Sequence, residues 1–262
     1  MEEPEVEEGG ATTRRRREIL ALVEARGFVT IEDLARLFDV SAQTIRRDII
    51  RLDEQGLLQR FHGGAGLPEP HRRPAYRDKQ ARDVGAKARI AARAAELVPE
   101  GACVYLDVGT TAEAVARALA AVPGLTVVTN SLHVAEIVGR GGRAEVRVLG
   151  GRLMGPDGSL AGAQTVESLR LLRLDLAIIA CSGFDPEGAP MDFDPEKIAV
   201  KRTACARARR SLLVADASKF AREATEIVVD AARVDGLVTD ADPRGAIAAA
   251  FAGRLHLAPP AC

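Results

Sequence analysis

Apolar positions change their period between the two halves of the chain. Over residues 13–66 they recur at helical spacing: Ile19, Leu20, Leu22 and Val23, then Leu34, Leu37 and Phe38, then Ile45, Ile49 and Leu52. This predicts a first helix over about 13–26, stopped by Gly27. A second opens at Thr30, where Asp33 three residues on resembles a capping box, and has Leu34, Leu37 and Phe38 as core. Asp39-Val40 makes a turn, and Ser41 caps a third helix that ends near Gly56. Leu57-Leu58-Gln59-Arg60-Phe61 then reads as a strand, turned by Gly63 and Gly64. The order is helix-turn-helix followed by a short wing.

Beyond residue 66 the pattern is different. Pro68, Pro70 and Pro74 stand among charged residues, an extended linker over 67–80. Residues 84–98 return to helical spacing. Strand-like runs at 102–107, 125–129, 145–149, 176–180, 211–215 and 236–239 then alternate with helix-like runs at 111–121, 132–139, 164–172, 196–209 and 244–252. Alternation of apolar strands with helices predicts an α/β domain around a mostly parallel sheet. The expected organisation is an acidic, disordered tail (1–12), a winged helix-turn-helix (13–66), the linker (67–80) and the larger α/β domain (81–262).

Composition sharpens this division. Residues 1–12 carry five acids and no base, residues 13–77 carry 13 bases against nine acids, and residues 78–262 carry 23 of each. Only the helix-turn-helix region is basic, which fits a nucleic-acid module tethered to a neutral domain. Of the 36 basic residues only Lys79, Lys87, Lys197, Lys201 and Lys219 are lysine, which points to a coding bias toward arginine. The four cysteines have no metal-ligand spacing, as expected of a reduced cytoplasmic protein. No apolar run approaches the roughly 18 residues that cross a bilayer, so no membrane partner is expected.

In the third helix, Gln43, Thr44, Arg46, Arg47 and Arg51 point away from the Ile45–Ile49–Leu52 stripe, behind the Ser41 cap. An apolar back and an Arg/Gln/Thr front suit the major groove of double-stranded DNA, where arginine pairs bidentately with guanine. Arg14 to Arg17, Arg60 and His62 are placed for phosphates, a sequence-blind contribution. The competing account has Arg46 and Arg47 solvate the helix, paired to Asp48 or Glu54. The cap, stripe, turn and wing together favour DNA.

Ligands of open α/β sheets gather at the carboxyl ends of strands. One such end gives Asp107-Val108-Gly109-Thr110-Thr111 before a helix: a turn glycine, two hydroxyls and helix N–H groups, suited to phosphate. Others give Thr129-Asn130-Ser131, Gly150-Gly151 and Asp216-Ala217-Ser218-Lys219. Each alone reads equally as a capped turn or loop. Their shared position describes a polyol-phosphate pocket. No Walker A or GxGxxG motif is present, which disfavours nucleotide sites of those kinds.

These motifs carry a resemblance. Val40-Ser41, Thr44-Ile45-Arg46-Arg47-Asp48, Leu52, Gly56, Arg60 and His62-Gly63-Gly64-Ala65 resemble the DNA-binding signature of the DeoR family of bacterial transcriptional regulators. Gly109-Thr110-Thr111, Thr129-Asn130-Ser131, Leu149-Gly150-Gly151, Gly162, Asp175, Val200-Lys201-Arg202, Asp216-Ala217-Ser218-Lys219-Phe220 and Val238-Thr239-Asp240 resemble its effector domain. The resemblance implies an effector domain similar in fold to ribose-phosphate isomerases and coenzyme A transferases. It also implies a phosphorylated-sugar effector, operator binding as an oligomer and regulation of a sugar or related catabolic operon. The expected protein is a repressor, a homo-oligomer (dimer or tetramer), with no enzymatic activity, cofactor or metal. Carried over by residue, Asp107, Gly109, Thr110, Thr111, Thr129, Asn130, Ser131, Gly151 and Lys219 form the effector pocket. Two positions depart from the family pattern: Ser182 stands where an acid is usual, and Lys197 where glutamate is common, beside Glu196. Either the pocket prefers a more anionic effector, or Lys197 is solvated. The alternatives to a repressor are an isomerase-like enzyme with a DNA-binding arm, and an activator or effector-independent binder.

Overall fold

The structure, a computed structural model, describes residues 8–26, 28–54, 57–61, 63–66 and 76–260. His62, most of the expected tail (1–7) and most of the expected linker (67–75) lie outside the described residues. The chain divides into two compact units, residues 1–72 and 73–262.

The first unit runs α1 (Glu8–Arg26), β1 (Phe28–Thr30), α2 (Ile31–Phe38), α3 (Ala42–Glu54), β2 (Gln59–Phe61) and β3 (Gly64–Gly66). Ile19 and Val23 of α1 pack with Leu34 of α2 and with Ile45, Ile49 and Leu52 of α3 in one buried cluster. Thr30 opens α2 as expected: its Oγ1 accepts from the Asp33 N–H at 3.1 Å and donates to Asp33 Oδ2 at 2.7 Å. Asp39 takes a left-handed conformation (φ 50°), which reverses the chain toward α3. The wing is an antiparallel sheet in the order β1-β3-β2. Its β1 strand was not anticipated, because three residues carry no readable period. Leu37, expected in the core, is instead 59% exposed. Its position on α2 points away from the stripe set by Ile31 and Leu34, both buried.

The second unit begins with α4 (Tyr76–Ala81), inside the expected linker, and α5 (Val84–Glu96). There follow β4 (Cys103–Leu106), α6 (Thr110–Leu119), β5 (Thr126–Thr129), α7 (Leu132–Gly141) and β6 (Glu145–Val148). A hairpin of β7 (Arg152–Leu153) and β8 (Leu160–Ala161) leads to α8 (Ala163–Arg170) and β9 (Leu174–Ala180). After it come β10 (Gly183–Phe184), β11 (Pro190–Asp192), α9 (Pro195–Arg207), β12 (Ala208–Val214) and β13 (Glu226–Ile227). The last elements are β14 (Gly236–Thr239), α10 (Gly245–Ala250) and β15 (Leu255–Leu257).

Among the described residues, seven strands form a parallel sheet in the order β15-β14-β12-β9-β4-β5-β6. Side chains alternate across it. Val104 and Leu106 meet Ile90, Val115, Leu119 and Val134 on one face. Tyr105, Ile179 and Leu213 meet Leu169, Ile198, Val200 and Phe251 on the other. Helices thus cover both faces, which is why the strands read as continuous apolar runs. Strand order proceeds outward in opposite directions from the β4/β9 pair. That pair is the topological switch point, where the helices that follow its two strands diverge and leave a crevice.

Candidate nucleic-acid interface and ligand site

Helix α3 is built from both sides. The Thr44 N–H donates to Ser41 Oγ at 3.1 Å, and the two hydroxyls lie 2.9 Å apart, so Ser41 is the N-cap and Thr44 is drawn toward it. Gln43, Arg46, Arg47 and Arg51 are exposed, and Thr44 is half-buried. Asp48 turns inward, 2% exposed, and receives Arg15 Nε at 2.6 Å and Arg16 Nε at 2.8 Å from α1. Asp48 is therefore not the partner of Arg46 or Arg47 that the competing account required. One expectation is corrected: Arg15 and Arg16 tie α1 to α3 rather than being held out for phosphate. Neither Arg46 nor Arg47 makes an ion pair among the described residues. Arg60 is exposed on β2, its N–H donating to Asp53 Oδ1 at 3.3 Å. A side chain on Gly64 would meet the Val29 carbonyl at 2.3 Å, so the wing closes only around glycine there.

In the second unit, the crevice at the switch point holds about 50 Å3 of accessible space. Its walls include Gly109, Thr110 and Thr111 after β4, Cys181 and Ser182 after β9, Asp192 of β11, Asp157, and the lysines 79, 197, 201 and 219. Gly109, at φ 114°, takes a backbone conformation that favours glycine and caps α6. The first N–H groups of that helix have no partner within it, which makes its N-terminus receptive to anions.

Lys201 Nζ lies 2.9 Å from Asp107 Oδ2, 2.8 Å from Asp192 Oδ2 and 2.5 Å from the Ala180 carbonyl, and its side chain is 2% exposed. Burial alone would depress the Lys201 pKa, but the two carboxylates hold it above the ordinary lysine value. Burial likewise opposes ionisation of Asp192. The Lys201 ammonium, the Phe193 N–H and the Ser182 hydroxyl outweigh it and hold that carboxyl well below the usual range. Lys197 is 3% exposed and its Nζ lies 2.5 Å from Asp157 Oδ2. It is therefore not solvated: the base at this position is committed to a carboxylate on the β7–β8 connection. Lys219 differs from both. Its Nζ is 4.0 Å from Asp216 Oδ2, too far for a charge-assisted hydrogen bond, and that oxygen has no hydrogen-bond donor among the described residues. Burial pushes the Cys181 thiol pKa up to about 12, which favours the protonated thiol over the thiolate.

The sequence-predicted effector residues separate into two groups. Gly109, Thr110, Thr111 and Lys219 line the crevice, and Asp107 stands behind it, holding Lys201 and accepting from the Ala180 N–H at 2.9 Å. Thr129, Asn130 and Ser131 are buried with their polar atoms turned inward. Thr129 Oγ1 accepts from the Ser131 N–H, and Ser131 Oγ caps α7 at the Val134 N–H. Asn130 accepts from the Tyr105 hydroxyl at 2.8 Å and donates to the Leu160 carbonyl at 2.8 Å. Gly151 is outside the crevice, and a Cβ there would meet Thr165 Oγ1 at 2.2 Å. Asp157, Asp192 and Lys79 were not foreseen. The signal that could have found Lys79 is the scarcity of lysine. Four of the five lysines line this crevice, and the fifth, Lys87, donates its Nζ to the Lys79 and Arg82 carbonyls at 2.5 Å.

A basic winged helix-turn-helix joined in one chain to an α/β domain with an anion-receptive crevice defines a two-domain, DNA-binding regulator. The DeoR-like helix-turn-helix domain matches residues 15–71, and the DeoR C-terminal sensor domain matches residues 82–241. The glycerol-3-phosphate regulon repressor of Escherichia coli (strain K12) is 39% identical over 231 residues, 88% of this chain and 92% of that protein. The HTH-type transcriptional repressor CsqR of the same organism is 37% identical over 89% of each chain. The chain belongs to the DeoR family of transcriptional regulators. Among solved structures, ribose 5-phosphate isomerase A of Methanocaldococcus jannaschii matches at 15% identity and a TM-score of 0.38, over 51% of this chain and 53% of that one. No described helix is long and apolar enough to cross a membrane.

Proposed function

We propose that this protein represses a carbohydrate-catabolic operon and that a phosphorylated sugar, bound at the switch-point crevice, relieves or modulates the repression. The observation that carries the reading is the Gly109-capped N-terminus of α6 lining one crevice with Lys219, a cation not consumed by a close carboxylate. The lining chemistry suits an anion with hydroxyls: phosphate toward the helix N-terminus and Lys219, the polyol toward Ser182 and Asp192. The named functions of the similar proteins, glycerol-3-phosphate regulon repression among them, favour the same reading. Ser41, Gln43, Thr44, Arg46, Arg47, Arg51 and Arg60 face the operator, Arg46 and Arg47 reading bases. A homo-oligomer places two such helices on paired half-sites, which gives useful affinity and lets an effector act through spacing.

Sensing is favoured over turnover by the state of the carboxylates. Asp107 and Asp192 are both held by Lys201, and Asp157 by Lys197, so none stands ready to take a substrate proton. The test begins with a duplex selected by the full-length protein from a random pool. Binding to it is titrated against triose, pentose and hexose monophosphates, with thermal shift in parallel. A ligand at 100 times its Kd adds about 2.7 kcal/mol. Lys219→Ala should lose this stabilisation and the effector response while holding the duplex normally. Indifference of wild-type DNA binding to every sugar phosphate, or turnover of one of them, overturns the reading.

A further inference from the structure

The crevice is too small for the ligand proposed for it. Sites for small molecules usually offer several hundred cubic ångströms, against about 50 Å3 here. Occupancy therefore requires part of the wall to move. The floor cannot readily do so, since it is the β4/β9 sheet edge and the buried Lys201 cluster. Two parts of the wall are lighter. One is α4, six residues long, which contributes Lys79. The other is the turn at 155–158, which carries Asp157 and with it the pair to Lys197.

These two parts are fastened to one another. The Tyr76 hydroxyl of α4 donates to Glu113 Oε1 at 2.6 Å, on the first turn of α6, and accepts from Gln80 Nε2 at 3.0 Å. Its ring stacks on His133 of α7, centroids 5.3 Å apart and 5° from parallel. His133 Nε2 in turn donates to the Pro156 carbonyl at 3.1 Å. Its ring also seats Gly158, where a Cβ would come within 2.9 Å of the imidazole. So Tyr76 and His133 bridge α4 to the turn that bears Asp157. A helix this short has little stability of its own, and these contacts, with Lys87 on its last carbonyls, retain it. In sequence, α4 is the first element after the segment that joins the two units.

We propose that α4 and the 155–158 turn form a hinged cover over the effector site, latched by Tyr76 against Glu113 and His133. Effector entry opens the latch and displaces α4, and the change in DNA binding follows from that displacement. The inference rests on the ligand reading above and assigns its regulation to named contacts. Burial and the Glu113 carboxylate raise the Tyr76 pKa, so the phenol stays a proton donor at any physiological pH.

The chain suits a direct test, because Tyr76 and Tyr105 are its two tyrosines and it has no tryptophan. Full-length protein labelled with 3-fluorotyrosine gives two fluorine resonances, assigned with Tyr76→Phe. Saturation with whichever sugar monophosphate stabilises the wild type should move the Tyr76 resonance. Tyr76→Ala and His133→Ala should still bind that ligand by thermal shift. Their effector-induced loss of duplex affinity, about tenfold or more in the wild type, should shrink to less than about threefold, with Tyr76→Phe intermediate. A ligand-free arm stands apart: in Tyr76→Ala, amides of both 76–81 and 152–161 should exchange about tenfold faster while those of β4 and β9 do not. An unmoved Tyr76 resonance at saturation, a full response in Tyr76→Ala, or faster exchange in 76–81 alone overturns the latch. Failure of the ligand reading shows separately, as a wild type that no sugar phosphate stabilises.

Discussion

Lys201→Met isolates the electrostatic support of the site. The methionine keeps most of the volume, so the cavity cost is small. What it removes is a charge 2% exposed and in contact with Asp107 Oδ2 at 2.9 Å and Asp192 Oδ2 at 2.8 Å. Two carboxylates then face one vacated point in a buried setting. Breaking a buried pair in this way costs about 3–5 kcal/mol. For a domain of this size that is a melting-temperature loss of about 6–20 °C, at about 2–4 °C per kcal/mol. The pH dependence gives a second, sharper readout. In the wild type the Asp192 pKa is depressed, so its contribution is full above the ordinary carboxylate range and is lost only as pH falls through it. The raised Lys201 pKa makes that contribution full below the ordinary lysine value and lost only above it. Between pH 5 and pH 8 this cluster leaves the wild type flat. In the variant, repulsion forces one carboxyl to keep a proton, and a raised folded pKa means stability lost as pH rises. The deficit should therefore be larger at pH 8 than at pH 5, measured by denaturant unfolding followed by circular dichroism. A loss under about 1 kcal/mol, or an equal loss at both pH values, would refute the reasoning.

Arg46→Ala and Arg47→Ala should each cost about 1–3 kcal/mol on the selected duplex and little on random DNA; unchanged discrimination in competition binding removes α3 from base reading. Asp48→Asn leaves Arg15 and Arg16 without their carboxylate, but their side chains are 16% and 32% exposed. Solvent therefore discounts the loss to about 1–2 kcal/mol, seen in the unfolding of the DNA-binding unit; a variant as stable as the wild type would mean that the clamp contributes nothing. Gly109→Ala meets no atom within 4 Å, so any cost comes from φ 114° alone, about 1–2 kcal/mol. Thermal melts with and without ligand should show that loss together with weaker ligand stabilisation, and a melt identical to the wild type would contradict it.

Periodicity made the architecture legible where elements are long or strictly patterned. The stripe Ile45–Ile49–Leu52 is buried as expected, and β14 spans the expected 236–239. Elements of two or three residues, such as β1, β7, β8 and β10, carry no period and are fixed by their pairing partners, near in sequence for β7, β8 and β10 and remote for β1. The α4 helix was hidden for a different reason: it is six residues long, follows a proline-rich stretch, and is held by Glu113, His133 and Lys87. At the site, the strand ends were readable in residue type but not in direction. Thr129, Asn130 and Ser131 share the polar chemistry of Thr110 and Thr111, yet they turn into the protein and brace Tyr105, α7 and Leu160. The Lys201 cluster joins residues 107, 192 and 201 through a crossover of the sheet, and no local pattern encodes that meeting.

The lysines show what that crossover demands. An ammonium is a compact point charge with three donors, and Lys201 directs them at three oxygens: Asp107, Asp192 and the Ala180 carbonyl. Lys87 reaches two carbonyls in the same manner. A guanidinium is wider, planar and carries five donors in a fixed fork, so it would leave donors unpaired in either place. Only five of the 36 basic side chains are lysines. Three of those ammonium groups (Lys87, Lys197 and Lys201) already have oxygen partners within 3 Å. Lys219 stands 4.0 Å from its nearest carboxylate, which is the physical ground on which the proposal gives the effector's phosphate to Lys219 rather than to Lys87, Lys197 or Lys201.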